Sequence, residues 1–351
     1  HICRRAIIAP AQDCLGEIGS GHRIAQLRQP GRKVIERSIG CGLRIVGHAA
    51  IWDGMTAGAS SGGSASGAWD HHVWWSADGV RLHARLYPGD EGAVPLLLMP
   101  GLTRNARDYE QLAPMLAGQR RVFAIEFRGR GESGYAKDAM TYGPLIYAQD
   151  VVKLLEEQQI ARFATVGTSL GGIVTMLLAA MLPGRLAAAV LNDVGPEIAP
   201  GGLDRIKTYV GQGGSQPTWV HAARAAAELH GDVYPDWQLE DWLRFAKRTC
   251  RLTPEGRIVP DYDDNIAQPF KAPGGESGGD LWPAFAALTD VPTLIVRGAN
   301  SDILAGTTLE NMLAGLSAGQ SIVVPRTGHA PTLDEPEVAA TIRAFFDRVL
   351  G

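Results

Sequence analysis

Cysteine is scarce. The four in this 351-residue chain, Cys3, Cys14, Cys41 and Cys250, include three in the first segment and one far away. With no CxxC spacing and no paired pattern in the body, a reduced, cytoplasmic setting is expected. Long apolar runs are also missing. Thr175 to Leu182 is the most apolar helical stretch, and Pro183-Gly184 stops it well short of a bilayer span. The net charge is −4 and no basic stripe appears, so no nucleic-acid partner is expected. No Gly-x-Gly-x-x-Gly follows a strand in a dinucleotide-binding context, and there is no His-Glu-x-x-His. The chain is therefore expected to need neither cofactor nor metal.

What the sequence does contain is the composition of a globular protein with ample core, 45% hydrophobic and 20% charged. The length allows one large α/β domain or two ordinary ones. Residues 1–54 behave differently from the rest: eight Lys/Arg against four Asp/Glu give +4, which leaves −8 for residues 55–351. Periodicity there is poor, and no methionine precedes Met55. The expectation is that Met55 is the natural start and that residues 1–54 are upstream translation or other non-native sequence. Residues 57–67 have the Gly/Ser composition of a flexible linker, so residues 1–70 are expected to be leader and linker, disordered or non-native.

From there the chain alternates strands with helices. His72 to Tyr87 is two β-prone runs about Asp78-Gly79, a hairpin. Val94–Met99 and Arg121–Phe127 read as buried strands, with a helix over about 107–117 between them. Pro144 to Gln159 is amphipathic, Leu186–Leu191 is another strand, and after Gly195-Pro196 the rhythm breaks. Residues 197–288 show only helical patterns and Gly/Pro loops. The sheet then resumes with Val291–Arg297 and Ser321–Val324, and a closing helix carries Val338, Ile342, Phe345 and Phe346 at helical spacing. This alternation predicts a mostly parallel sheet with helices on both faces. Its parts are expected at 71–196 and 289–351, with an inserted helical segment at 197–288.

Gly-x-Ser-x-Gly occurs four times, centred on Ser60, Ser169, Ser277 and Ser317. Ser60 lies in the linker and Ser277 in a Gly-rich loop; Ser317 runs from helix to strand. Only Gly167-Thr168-Ser169-Leu170-Gly171 joins a strand to a helix, the context that makes this motif a nucleophile elbow. A serine hydroxyl needs a base, and the base an orienting carboxylate. Among nine histidines, His329 stands in the loop after the last strand, on the sheet edge where the elbow also opens. For the carboxylate, Asp302 in Gly298-Ala-Asn-Ser-Asp302 is the first choice because it gives the order Ser, Asp, His. Asp193, just past the strand after the elbow, is the alternative. The amide of Leu170 is expected to donate to an oxyanion, and that of Leu102, after Pro100-Gly101, to be the second donor.

These segments resemble the α/β-hydrolase fold superfamily over about His72 to Leu350. Gly167–Gly171, Gly298–Asp302 and Gly328-His329 look like its nucleophile, acid and base segments, and Arg128-Gly-Arg-Gly-Glu-Ser133 resembles its post-strand turn. Pro100-Gly101 stands where many members have His-Gly, and Glu126 where Asp is usual. The resemblance is to capped serine hydrolases: carboxylesterases, enol-lactonases and the hydrolases of ring-fission products. It implies that residues 197–288 cap the serine and that the substrate is a small-molecule ester or related carbonyl compound. A serine at the elbow argues against the epoxide hydrolases and haloalkane dehalogenases of this fold, which use an aspartate. Carboxylic ester hydrolysis is the leading expectation, and carbon–carbon hydrolysis or lactone opening by the same residues is the alternative. A catalytically silent ligand-binding member of the fold is the reading from another class. Carbon–carbon chemistry implies a cation for a substrate carboxylate, for which Arg104, Arg107 and Arg128 are available.

Overall fold

The computed structural model describes residues 68–271 and 280–351. The expected leader and linker, Ser60, Ser277 and three of the four cysteines lie outside the described residues. The chain begins with β1 (Asp70–Trp75), β2 (Arg81–Tyr87) and β3 (Leu96–Met99), followed by α1 (Leu112–Leu116), β4 (Val122–Glu126) and α2 (Pro144–Glu157). Next come β5 (Phe163–Thr168), α3 (Leu170–Met181) and β6 (Leu186–Asn192). A long insertion then holds α4 (Pro200–Tyr209), α5 (Trp219–His230), α6 (Leu239–Thr249), β7 (Cys250–Leu252), β8 (Ile258–Pro260), α7 (Gln268–Lys271) and α8 (Trp282–Phe285). Finally β9 (Thr293–Gly298), α9 (Gly306–Ala314), β10 (Gly319–Val324) and α10 (Pro336–Leu350) complete the fold.

Among the described residues eight strands form one sheet, in the order β1-β2-β4-β3-β5-β6-β9-β10. The β1–β2 and β2–β4 pairs are antiparallel, and every other pair is parallel. This is the expected mostly parallel sheet with helices on both faces. Strand β3 shows why its sequence is continuously apolar. Leu97 and Met99 face a core layer shared with α2, α3 and α9, while Leu96 and Leu98 face a second layer closed by α1 and α10. Successive strand residues point to opposite faces, so a strand covered on both faces must be apolar throughout.

Two local readings are corrected. The single helix expected over 107–117 is a 3-10 turn at Ala106–Tyr109 followed by the short α1. Pro114 has no N–H to give and is tolerated only in a helix's first turn, so a fresh helix starts just before it. The insertion is not purely helical, for β7 and β8 pair antiparallel around Gly256. It also has its own small core, in which Ala222, Ala223, Trp242, Phe245, Ala246 and Ile258 pack together.

The register sets the site. Met99 lies beside Gly167, Thr168 beside Asn192, Asn192 beside Val296, and Gly298 beside Val324. The loops leaving β3, β5, β6, β9 and β10 therefore open on one edge, where parallel sheets place their ligands.

Candidate active site

Ser169 is the last residue before α3, with φ 51° and ψ −113°. That backbone conformation is strained for a residue with a side chain, and it persists because its neighbours leave no other path. A Cβ on Gly167 would come within 2.3 Å of the Gly171 carbonyl oxygen, and one on Gly171 within 2.0 Å of the Met99 carbonyl oxygen. Both glycines are required by close approach of backbone to backbone. The elbow is held from behind as well: the Ser169 amide donates to the Asn192 carbonyl at 2.9 Å. Thr168 Oγ1 accepts from Tyr109 Oη (3.2 Å) and Asn192 Nδ2 (3.1 Å). Asn192 Nδ2 also donates to the Pro331 carbonyl at 2.8 Å, so one side chain ties the elbow to the loop of His329.

His329 Nε2 lies 2.8 Å from Ser169 Oγ, and its Nδ1 lies 2.8 Å from Asp193 Oδ2. The imidazole therefore stands between hydroxyl and carboxylate. Asp193 is fully buried, at φ 55°. Its carboxylate also accepts from the Gly298 amide on Oδ1 (2.8 Å) and from Ser301 Oγ on Oδ2 (2.6 Å). Burying a carboxylate is costly unless hydrogen bonds replace its water. Here an amide, a hydroxyl and an imidazole do so.

This geometry corrects the expected acid. Asp302 does not reach the imidazole; both its oxygens accept from Arg205 of α4, at 2.6 Å from Nε and 2.9 Å from Nη2. Burial opposes its charge, but the Arg205 pair outweighs burial and holds Asp302 below the ordinary carboxylate range. Asp302 thus pins the insertion to the sheet edge, and Asp193, the alternative, sits on the histidine. Ser301, the hydroxyl next door, escaped sequence reading, as did Asn192 and Tyr109. Only the Asn192-Asp193 pair at the strand end offered a signal for any of them.

Leu170 opens α3, so its amide has no intrahelical acceptor. Leu102 lines the same cavity as Ser169, and Arg130 Nε grips its carbonyl at 2.8 Å. A Cβ on Gly101 would fall 3.8 Å from that of Ser169, which places this loop directly beside Ser169. Glu126 plays a scaffolding part: buried, it pairs with His83 Nδ1 at 2.9 Å and accepts from the Glu132 amide at 2.7 Å, bracing the Arg128–Gly134 turn. Ser317 is no rival to Ser169, because its hydroxyl bonds Asp290 at 2.9 Å.

The cavity at Ser169 has a volume of about 100 Å³. Its far wall comes from the insertion: Ile206 and Tyr209 of α4, His230 at the end of α5, Tyr234, and Phe245 and Arg248 of α6. The insertion also grips the histidine loop, through the Gly328 amide on the Val233 carbonyl (2.8 Å) and Tyr234 Oη on the Ala330 carbonyl (2.7 Å). Among the described residues no group of three or more His, Cys, Asp or Glu is arranged to hold a metal, and no helix is long and apolar enough to cross a membrane.

A model of the alpha/beta hydrolase family matches residues 96–342. Over 270 residues the chain is 32% identical to the 3-hydroxybutyrate-oligomer hydrolase of Cupriavidus necator, covering 72% of this chain and 87% of that protein. It is 28% identical over 257 residues to the 2-(acetamidomethylene)succinate hydrolase of Mesorhizobium japonicum, covering 73% and 88% respectively. The crystal structure of an alpha/beta hydrolase from Novosphingobium aromaticivorans superposes with a TM-score of 0.77 at 55% identity, over 82% of this chain and 100% of that one.

Proposed function

This chain belongs to the alpha/beta hydrolase family and is a hydrolase; we propose that it cleaves carboxylic esters through Ser169, His329 and Asp193. The observation that carries this reading is the unbroken line of short contacts from Ser169 Oγ through His329 to Asp193, 2.8 Å at each step. Ser169 Oγ attacks the ester carbonyl carbon while His329 Nε2 takes its proton. Asp193 accepts from Nδ1–H, which fixes the tautomer that leaves Nε2 free as base and stabilises the imidazolium that forms. The oxyanion is received by the amides of Leu170 and Leu102, worth about 3 kcal/mol for a single donor in such sites. The imidazolium then protonates the departing alcohol, and water, activated by the same base, releases the acid from Ser169.

The insertion acts as the cap in this reading, since side chains of α4, α5 and α6 and Tyr234 close the cavity over the serine, and Val233 and Tyr234 brace the loop of His329. Chemistry of this kind suits a short oligoester of a hydroxy acid, the substrate class in the name of the Cupriavidus necator relative. It requires neither cofactor nor metal. The test is labelling by a fluorophosphonate together with turnover of p-nitrophenyl acetate and of a ring-fission dienoate. We expect Ser169 to be labelled stoichiometrically and the ester to be hydrolysed. Turnover confined to the dienoate favours carbon–carbon cleavage instead, and a folded protein that takes no label points to a silent binding member of the fold.

A further inference from the structure

The wall between Ser169 and the insertion carries a guanidinium that ester cleavage does not use. Of the three arginines available for a substrate carboxylate, two are engaged elsewhere. Arg128 is buried between Asp78 and Asp150, and Arg107 reaches Asp261 and the carbonyls of Arg248 and Cys250. Arg104 alone of the three lines the serine cavity. Its Nε and Nη2 donate to the two oxygens of Asp108, at 2.8 and 2.6 Å, and its face lies 4.3 Å from the Phe245 ring centroid. A guanidinium has five N–H donors on three edges. Asp108 occupies the Nε–Nη2 edge, so the Nη1–Nη2 edge keeps a fork of two parallel N–H bonds, and Nη1 has no partner among the described residues. That fork matches a carboxylate.

Two further features point the same way. His230, on the same wall, has its pKa pushed down to about 4, first by burial and then by Arg104 and Arg205. The two guanidinium charges thus oppose a further positive charge on this wall, beyond what burial alone does. Arg248, 8% exposed at its side chain and also lining the cavity, is paired with Glu110 and Asp334 but leaves a buried Nη2 without a hydrogen-bond partner. Beyond the wall lies a second cavity of about 350 Å³ that shares Thr103, Arg104, Tyr209, His230 and Phe245 with the first. Arg104 thus lines both the narrow chamber at Ser169 and the roomier one beside it.

We propose that Arg104 is the specificity-determining residue of this site and that its ligand is a carboxylate, so the preferred substrates are short esters with a free acid at one end. The inference rests on the ester-hydrolase reading for its substrates but not for its binding step.

The experiment compares matched pairs: monoethyl against diethyl succinate, and 3-acetoxypropionate against its methyl ester. Wild-type kcat/KM is expected to favour the free acid by about tenfold or more in at least one pair, the size of one charge-assisted contact. Arg104→Gln collapses that ratio towards one, and Asp108→Asn, which leaves Arg104 unopposed, raises it. Equal rates within both pairs for the wild type overturn the proposal, and so does an Arg104→Gln protein that folds and keeps the wild-type ratio. Calorimetry on Ser169→Ala separates the two readings. If monoethyl succinate binds it about tenfold or more tightly than the Ser169→Ala/Arg104→Gln protein, while the wild type hydrolyses no ester, the carboxylate site stands and the ester-hydrolase reading falls.

Discussion

Asp193 and Asp302 illustrate what single residues can and cannot disclose. Both follow a strand of the same sheet on the same edge, and both precede His329 in the chain. What separates them is three-dimensional: Asp193 takes a positive φ that turns its carboxylate under the imidazole, and Asp302 is captured by Arg205 from ninety-seven residues away. Neither a local motif nor chain order encodes that capture. Ser169 and His329, by contrast, were legible because strand-to-helix context and position after the last strand identify them without knowledge of distant partners. Ser301 is a positioning residue in this arrangement. Its hydroxyl donates to the same Asp193 oxygen that faces His329, and it accepts from the Ile303 and Leu304 amides at 3.2 and 3.0 Å. Ser301→Ala removes a donor to a buried carboxylate, worth about 1–2 kcal/mol, and is expected to lower kcat about 5–30-fold with KM little changed. Ser301→Thr, which keeps the hydroxyl, should recover most of the loss in steady-state assays; failure to do so argues for a packing role.

At the scale of elements, segments with a sustained apolar pattern were readable and those without one were not. Strands β3 to β6 and helices α2, α3 and α10 carry apolar patterns dictated by burial on one face or two. The β7–β8 hairpin has three residues in each strand, too few for a period to emerge, and it exists because Thr253–Gly256 turns the chain back on itself. The elbow between β5 and α3 is the least tolerant join. Gly171→Ala drives a methyl group into the Met99 carbonyl, and chemical denaturation should show a loss of about 2–4 kcal/mol together with inactivation. The end of α5 makes a different prediction, because its His230 is held neutral. The unfolded chain takes up this proton near pH 6.5, whereas the folded protein refuses it until about pH 4. Stability contributed by His230 is therefore lost as pH falls from 6.5 towards 4. Denaturation midpoints of His230→Gln should fall less steeply than those of wild type across that window, and parallel curves would show that the imidazole is not kept neutral.

For the molecule as a whole, one sheet edge gathers five loops, and the insertion closes over them. The parallel order was deducible from alternation alone, since crossover helices force strands to run the same way. The insertion's chemistry was not. That it supplies Arg205 to Asp302, Tyr234 to the histidine loop and Phe245 to Arg104 depends on how a separate small core docks on the sheet. The contacts among Ser169, His329 and Asp193 therefore follow from the loops of the sheet, while the far wall of the cavity comes from the insertion. Turnover of p-nitrophenyl acetate by Asp193→Asn and Asp302→Asn, with folding checked by thermal melting, decides which carboxylate completes the relay. Losing the carboxylate that sets the histidine tautomer is expected to cost about 10³–10⁴ in kcat for Asp193→Asn. Asp302→Asn, which only loosens Arg205, should stay within about tenfold of wild type. A folded Asp193→Asn protein with near wild-type kcat, beside an inactive Asp302→Asn protein, would contradict the account.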